Sequence, residues 1–285
     1  MSFLPDYKNV ENAARNLPSA RIPLYEHLIA ASFMERVTGE KFAHLHQGSY
    51  EDKLRFFQHY NAFWRDMGYD TVSYECCVTS ILPGGGALGG HVKGVIQDLY
   101  FSTFAGDFKA LRETMPEGMR AIGGVGNGVF EVVQDLVGLE DLCYMKVDDE
   151  DLYLDMFRKV GDILTAIWKE FLAEYGDIYC VCRFGDDLGF KSATLLHQDD
   201  VKELIVPQYR RIVQEVHQAG KPFLLHSCGC IFGVMEELIS VAGIDAKHSN
   251  EDIIAPFGRW IDDYGGRIGN FGGLDTDALC DINPC

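Results

Sequence analysis

The feature that most restricts the fold is a repeated alternation between short apolar segments and longer amphipathic ones. Runs rich in β-branched and aromatic residues predict strands, and apolar residues spaced at i, i+3, i+4 and i+7 predict the helices between them. The clearest helical stretches begin at Ser49, Asp151 and His197, and Pro207 is expected to start a new helix or kink the third one. The seven predicted strands are residues 21–26, 71–75, 119–125, 178–184, 222–227, 244–248 and 267–271.

This alternation is typical of a parallel sheet covered by helices. Polar residues gather where the predicted strands end, which is where (β/α)8 barrels keep their chemistry. We therefore predict an α/β fold of the TIM-barrel type, with residues 1–285 forming one domain and residues 1–20 an N-terminal extension. Seven strand–helix units are one fewer than such a barrel needs. Either one strand escapes the pattern or the C-terminal unit is missing from this sequence, and the second explanation is favoured.

Composition excludes several classes of partner. The formal net charge of -18 and the isoelectric point near 4.8 argue against binding to nucleic acid or to an anionic membrane surface. No apolar run reaches the roughly 18 residues that span a bilayer, and the N-terminus lacks the basic and apolar regions of a signal peptide. The nine cysteines are an odd number that favours reduced thiols, so a cytoplasmic location is expected. The oligomeric state stays open.

The stretch "PFLLHSCGC" (residues 222–230) places a histidine and a cysteine two positions apart at the end of a predicted strand. Residues two apart on a strand face the same side, so His226 and Cys228 are presented together. Zinc accepts both an imidazole and a thiolate in tetrahedral geometry. Gly229 follows directly and allows the chain to turn without crowding the metal.

Two ligands do not complete a zinc site, and the first candidates for the others are Cys280 and Glu251. Cys280 follows the last predicted strand and Glu251 follows the sixth, both at the same end of the barrel. Cys230 ranks lower because Gly229 is expected to break the strand, and Cys285 ranks lower because it is the last residue. The alternatives are a buried thiol beside a hydrogen-bonded histidine and a redox pair of adjacent cysteines, which C-x-C spacing disfavours.

Four motifs in this order carry a family resemblance that spans almost the whole chain. They are "RFGDDLGF" (183–190), "GKPFLLHSCG" (220–229), "GIDAKHSNED" (243–252) and "RIGNFGGLDTDALC" (267–280). The chain resembles the uroporphyrinogen decarboxylase superfamily, in particular its branch of zinc-dependent, corrinoid-linked methyltransferases from anaerobic microbes. The fold of that family is a (β/α)8 barrel, which agrees with the reading of the strand and helix pattern.

The resemblance implies a zinc ion held by His226, Cys228 and a later cysteine, for which Cys280 is the best match in this chain. Related cobalamin-independent methionine synthases add a glutamate, which keeps Glu251 as a fourth or exchangeable ligand. The resemblance to the methyltransferase branch also implies a corrinoid carried by a partner protein and a small methylated substrate. The true decarboxylases carry an "RQAGR"-like stretch, whereas the corresponding region here has only Arg21 and Arg36.

Other polar residues at the predicted strand ends are candidates for the same site. Glu75 and His248 are expected either to act as catalytic groups or to support a metal ligand. Arg183, Asp186 and Asp187 are candidates for substrate binding, with a salt-bridged loop that caps a helix as the alternative. A further candidate for substrate binding is Asn270, with turn formation as its alternative, and the loop at residues 82–94 is a candidate lid.

The leading hypothesis is therefore a zinc-dependent methyltransferase that moves a methyl group between a small methyl ether, thioether or amine and a corrinoid protein or thiol acceptor. The first alternative is a metal-free decarboxylase of a porphyrinogen-like polycarboxylate. The second alternative is a barrel relative without catalytic activity.

Overall fold

The computed structural model describes residues 3–82, 96–251 and 253–273. The predicted lid at residues 82–94 lies outside these ranges except for its first residue, Leu82. Within the described residues, no helix is long and apolar enough to cross a membrane.

Six parallel strands form one sheet, and their order in the sheet is their order along the chain. Each is separated from the next by helical structure, which is the winding of a (β/α)8 barrel and confirms the predicted fold class. The six strands are β1 (Thr71–Cys77), β2 (Arg120–Gly126), β3 (Tyr179–Gly185), β4 (Phe223–His226), β5 (Ala246–Asn250) and β6 (Gly269–Gly272).

The three clearest predicted helices are present. Ser49 caps the first of them, since its hydroxyl accepts the amide of Asp52 and its own amide is bound by the Asp52 carboxylate. Pro207 lies in the first turn of a helix that follows a π-helical turn, Val201–Ile205, as its missing amide hydrogen allows. The α-helices are α1 (Lys8–Ala14), α2 (Ala31–Thr38), α3 (Tyr50–Asp66), α4 (Ile96–Thr114), α5 (Val129–Val137), α6 (Leu139–Asp148), α7 (Glu150–Tyr175), α8 (Gln198–Asp200), α9 (Val206–Gln218), α10 (Met235–Glu237) and α11 (Phe257–Tyr264).

The first predicted strand, residues 21–26, is not a strand of the sheet. Its residues alternate between half-buried and exposed, as a strand's would, but they form an extended segment without a place in the strand ladder. Pro23 has no amide hydrogen to donate to a neighbouring strand. The alternation still orients side chains, because Tyr25 and His27 point towards the sheet while Ile22, 94% exposed, points away. We call residues 21–29 the N-terminal strap.

Two apolar clusters hold the sheet in place. The larger one lies between the sheet and its helices and includes the fully buried Trp168 of α7, and each buried side chain of this kind contributes roughly 1.5–3 kcal/mol. The smaller one fills the inside of the sheet. Helix α1 closes the end where the strands begin, since Tyr7 donates its amide to the carbonyl of Gly118, just before β2. The inner cluster consists of Val10, Ala14, Ile122, Cys180, Val181, Leu224, Ala246 and Phe271.

Candidate metal centre

Two histidines face each other across neighbouring strands at the carboxyl end of the sheet. His226 of β4 and His248 of β5 are partners in the strand register. Each lies two residues after an inward-facing apolar residue, Leu224 and Ala246 respectively, so strand alternation directs both imidazoles inward. Their Nδ1 atoms are 2.7 Å apart, which is a hydrogen-bond distance.

A glycine turn brings Cys228 back towards His226. Gly229 has a φ of +77°, and a Cβ at this position would lie 2.4 Å from the carbonyl carbon of Gly189. Only glycine allows both the left-handed backbone and this close approach. The Cys228 sulfur lies 3.5 Å from Nε2 of His226. The two side chains therefore lie together, but Cys228 follows the end of β4 and does not share a strand face with His226 as the sequence suggested.

Asp187 adds a third donor atom to this pair. Its Oδ1 accepts the backbone amide of Cys228 at 2.8 Å and lies 3.7 Å from Nε2 of His226. The three donor atoms lie within 4.8 Å of one another. Tetrahedral zinc with ordinary bond lengths places nitrogen and sulfur ligands about 3.6 Å apart and nitrogen and oxygen ligands about 3.4 Å apart. The chemistry of the donor set therefore fits a zinc ion, as do the distances from His226 Nε2 to the Cys228 sulfur and to Asp187 Oδ1.

The protonation states of Cys228 and His226 also favour the binding of a cation at this site. Burial, together with the neighbouring carboxylates of Asp187 and Glu251, raises the pKa of the Cys228 thiol to about 12. Burial lowers the pKa of His226 to about 4, so its imidazole is neutral at pH 7 and has a free lone pair. A divalent cation would take the place of the thiol proton and balance the carboxylates.

The other predicted metal ligands are placed less completely. Glu251 is close enough to interact with the Cys228 thiol, and its Oε1 accepts the hydroxyl of Ser249 at 3.3 Å. Cys280 lies outside the described residues. Cys230 follows the glycine turn, and its amide binds the carbonyl of Phe190. Strand β4 ends at His226, so Cys228 and Cys230 both lie beyond the strand.

A third imidazole, from the N-terminal strap, was not predicted from the sequence. The ring of His27 stacks on that of His226 with centroids 3.9 Å apart and an interplanar angle of 25°. Its Nε2 lies 3.7 Å from Oε1 of Glu75. Burial lowers the pKa of His27 and of His248, so all three rings are neutral at pH 7. One sequence signal could have revealed His27. It lies two residues after Tyr25 in a segment whose side chains alternate between two faces, so both side chains point the same way.

Glu75 and Arg183 form an ion pair deeper in the barrel. Both lie within their strands, which extend one or two residues beyond the predicted bounds of 71–75 and 178–184. The Arg183 side chain is fully buried and donates to Glu75 Oε2 from Nε at 3.1 Å and from a terminal nitrogen at 2.7 Å. The other terminal nitrogen donates to the hydroxyls of Tyr25 and Ser73, both at 3.0 Å. The guanidinium is thus held by the protein itself.

Asp186 and its neighbour Asp187 have opposite environments. Asp186 is fully buried, and its two oxygens accept the amides of Phe130 at 2.9 Å and Glu131 at 2.6 Å in the first turn of α5. Tyr209 donates its hydroxyl to the same carboxylate. These contacts correspond to the helix-capping alternative, whereas the Asp187 side chain is 46% exposed and faces the metal ligands.

Asn270, predicted as a substrate contact, lies in β6 beside Asn250. Its Oδ1 accepts the side-chain amide of Asn250 at 3.2 Å, and its own amide donates to the carbonyl of Ile268 at 3.1 Å. It lines an open groove between β6 and the segment at residues 16–23. Within the described ranges, no hydrogen bond joins it to the three histidines.

Comparison with known proteins agrees with this architecture. The family model described as uroporphyrinogen decarboxylase (URO-D) matches residues 96–283. A methyltransferase from Methanosarcina mazei superposes with a TM-score of 0.71 at 15% sequence identity, over 92% of this chain and 81% of that chain. At this identity the likeness establishes a shared fold. A search of curated proteins finds no match.

Proposed function

The chain belongs to the uroporphyrinogen decarboxylase family, and we propose that within this family it is a zinc-dependent methyltransferase. Its reaction would move a methyl group between a small methyl ether, thioether or amine and a corrinoid protein or thiol acceptor. The observation that carries the proposal is the convergence of His226 Nε2, Cys228 Sγ and Asp187 Oδ1 at distances that suit zinc.

In this proposal His226 and Cys228 hold the ion, and Asp187 is added to them in place of its predicted role in substrate binding. Cys280 and Glu251 remain candidates for an exchangeable position. When bound, zinc supplies Lewis acidity towards a departing oxygen or sulfur atom, or lowers the pKa of a thiol acceptor. The corrinoid carrier is proposed from the family resemblance and from the fold shared with a methyltransferase.

The remaining predicted residues receive supporting roles. His248 borders the stacked imidazoles and can exchange a proton beside a bound substrate, whereas Glu75 is paired with Arg183 and is proposed to shape the pocket. Arg183 and Asp186 have their hydrogen-bonding partners within the protein, and we assign them the shaping of the pocket rather than substrate contact. Asn270 is proposed as a support for the end of β6.

Charge favours this function over decarboxylation of a porphyrinogen-like polycarboxylate. Such a substrate needs cationic side chains that are free to bind several carboxylates. The guanidinium of Arg183 inside the barrel is already bound by Glu75, and the chain carries a net charge of -18. The cluster at the mouth, with Asp187 and Glu251 beside a thiol, attracts a cation rather than an anionic ring.

Elemental analysis of the purified protein tests the metal. We expect about one zinc per chain in the wild type, and less than about a tenth of that in Cys228→Ser, because a hydroxyl is a far poorer zinc ligand than a thiolate. Cys143→Ser is the matched control, since Cys143 is exposed on α6 and should leave the zinc content unchanged. Equal zinc in the two variants would overturn the assignment of Cys228.

Transfer is tested by mixing the zinc-loaded protein with cob(I)alamin and a panel of methyl ethers, thioethers and methylamines. Formation of methylcobalamin, followed by its absorbance, is expected with at least one class of donor and should be lost in Cys228→Ser. Turnover of uroporphyrinogen by a zinc-free preparation would favour the decarboxylase instead. Absence of both reactions would favour the non-catalytic alternative.

A further inference from the structure

The contact between His226 and His248 requires a defined arrangement of hydrogens. Two unprotonated nitrogens repel each other at 2.7 Å, so one Nδ1 atom must donate a hydrogen to the other. The distance is also shorter than the roughly 3.3 Å that separates two nitrogens on one tetrahedral zinc ion. The pair is therefore a hydrogen bond between rings, and not two ligands of a common metal through these atoms.

Only two arrangements are available to a pair of neutral imidazoles. In one, His226 carries its hydrogen on Nδ1 and donates it to His248, which leaves a lone pair on Nε2 of His226. In the other, His248 donates from Nδ1, and the hydrogen of His226 lies on Nε2, directed at the Cys228 sulfur 3.5 Å away. Only the first arrangement allows Nε2 of His226 to bind a metal together with Cys228 and Asp187.

We propose that His248 is the positioning residue for this metal site, because its Nδ1 accepts the hydrogen of His226 Nδ1 and fixes the tautomer in which Nε2 is free to bind. The inference rests on the proposed zinc site and deepens it. It has a second consequence: with its Nδ1 used as an acceptor, neutral His248 carries its own hydrogen on Nε2.

The surroundings hold both rings in the required orientation. His27 covers one face of His226, which restricts tilting of that ring. Tyr25 packs edge-on against His248, with centroids 4.9 Å apart and an interplanar angle of 74°. Gly272 leaves just enough room on the other side, since a Cβ there would lie 3.4 Å from Cδ2 of His248. The pairing in the strand register then keeps the two rings at the same height.

The test compares two variants that differ in one acceptor atom. His248→Asn places a carbonyl oxygen near the former Nδ1 position, so it should keep the zinc affinity within about threefold of the wild type. His248→Phe keeps a ring but removes the acceptor, and we expect its zinc affinity to decrease 10–100-fold, the usual cost of losing the partner of a ligating histidine. Competition with a chromogenic chelator measures both, and thermal unfolding of the metal-free variants checks that they fold.

If His248→Phe does not fold, His248→Gln replaces it, because its side-chain carbonyl reaches the Nε2 position and not that of Nδ1. A spectroscopic readout is independent of affinity: nitrogen-15 NMR of the zinc-loaded wild type should show the hydrogen of His248 on Nε2. Unchanged affinity in a folded variant without the acceptor, or a hydrogen on Nδ1 of His248, would overturn the inference alone. A wild type that binds no zinc would overturn the proposed function together with it.

Discussion

Two polar clusters inside the barrel differ in how far their charges and hydrogen bonds are balanced. The floor is the cluster around Glu75 and Arg183, and the mouth is the cluster around His226, Cys228 and Asp187. At the floor, every acceptor around the Arg183 guanidinium has a donor, and the charge of Glu75 is matched by that of Arg183. At the mouth, two carboxylates lie beside the Cys228 thiol, and the neighbouring imidazoles are neutral. The floor is therefore balanced by its own ion pair. At the mouth, the charged group that interacts with Cys228, Glu251 and Asp187 is Lys247, and burial lowers the pKa of its ammonium to about 7, so it balances these acidic groups only in part at neutral pH.

This difference teaches how to separate structural polar residues from functional ones within a single barrel. An ion pair that satisfies its own hydrogen bonds has little left to offer a ligand. A cluster in which carboxylates lie beside a buried thiol has the capacity to bind a cation in place of the thiol proton.

The largest expected effect comes from breaking the floor. Arg183→Met should lower the free energy of unfolding by about 3–5 kcal/mol, because Glu75 would remain buried without a counter-charge. Urea unfolding of the metal-free protein measures this change. The double variant Arg183→Met/Glu75→Leu should recover most of the loss, and a loss below about 1 kcal/mol in the single variant would show that the floor is not the closed ion pair described.

A smaller effect is expected from Asp187→Asn at the mouth, and it should appear in metal binding rather than in folding. Zinc affinity should decrease about 10–100-fold, since a neutral amide is a weaker ligand than a carboxylate. The unfolding free energy should change by less than about 0.5 kcal/mol, because Asp187 is half-exposed and an asparagine can still accept the Cys228 amide.

Chelator competition gives the affinity of Asp187→Asn, and Asp199→Asn, at an exposed carboxylate, is the matched control. Equal zinc affinities for these two variants would remove Asp187 from the donor set. The pair formed by His226 and Cys228 would then need its third ligand from elsewhere.

The smallest effect concerns a surface pair that lies outside both clusters. His217 of α9 lies 2.6 Å from Oδ2 of Asp245, and this hydrogen bond raises the pKa of His217 above 6.5. A raised folded-state pKa means that the added stability is complete below pH 6.5 and is lost as the pH rises through the folded value. Because both side chains are partly exposed, the loss should stay below about 1 kcal/mol.

Thermal unfolding between pH 5.5 and 8.5 tests this third prediction. His217→Gln should remove that part of the pH dependence, whereas His197→Gln, at an exposed histidine, should retain it. A wild type that becomes more stable over the same rise in pH would show that other groups dominate.

The sequence predicted the parts of the fold that depend on local pattern. Apolar periodicity located the strands around Thr71–Cys77 and Phe223–His226. His226 and Cys228 do lie together, although the strand ends at His226 and the turn after it, rather than strand alternation, positions Cys228. The same pattern was wrong for residues 21–26, because an extended segment outside the sheet alternates with the same period of two as a strand. Only the hydrogen bonds of the backbone distinguish the two.

The parts that escaped prediction depend on contacts between distant segments. Nothing local distinguishes Asp186 from Asp187, yet Asp186 caps α5 and Asp187 faces His226 and Cys228. Arg183 and Glu75 are 108 positions apart, so their pairing appears only when β1 and β3 both face the barrel interior. His27 stacks on His226 because the N-terminal strap runs past the end of β4, and no sequence motif predicts the course of that strap.

The position of helix α1 limits the direction from which molecules can reach Cys228. It blocks the end of the described sheet where the strands begin, and its residues Val10 and Ala14 are part of the inner cluster. Any molecule that approaches Cys228 along the inside of the described sheet must therefore come from the opposite end. If the proposed methyl transfer takes place, a compact donor that enters before a bulky acceptor would be covered by it, which predicts an ordered kinetic scheme.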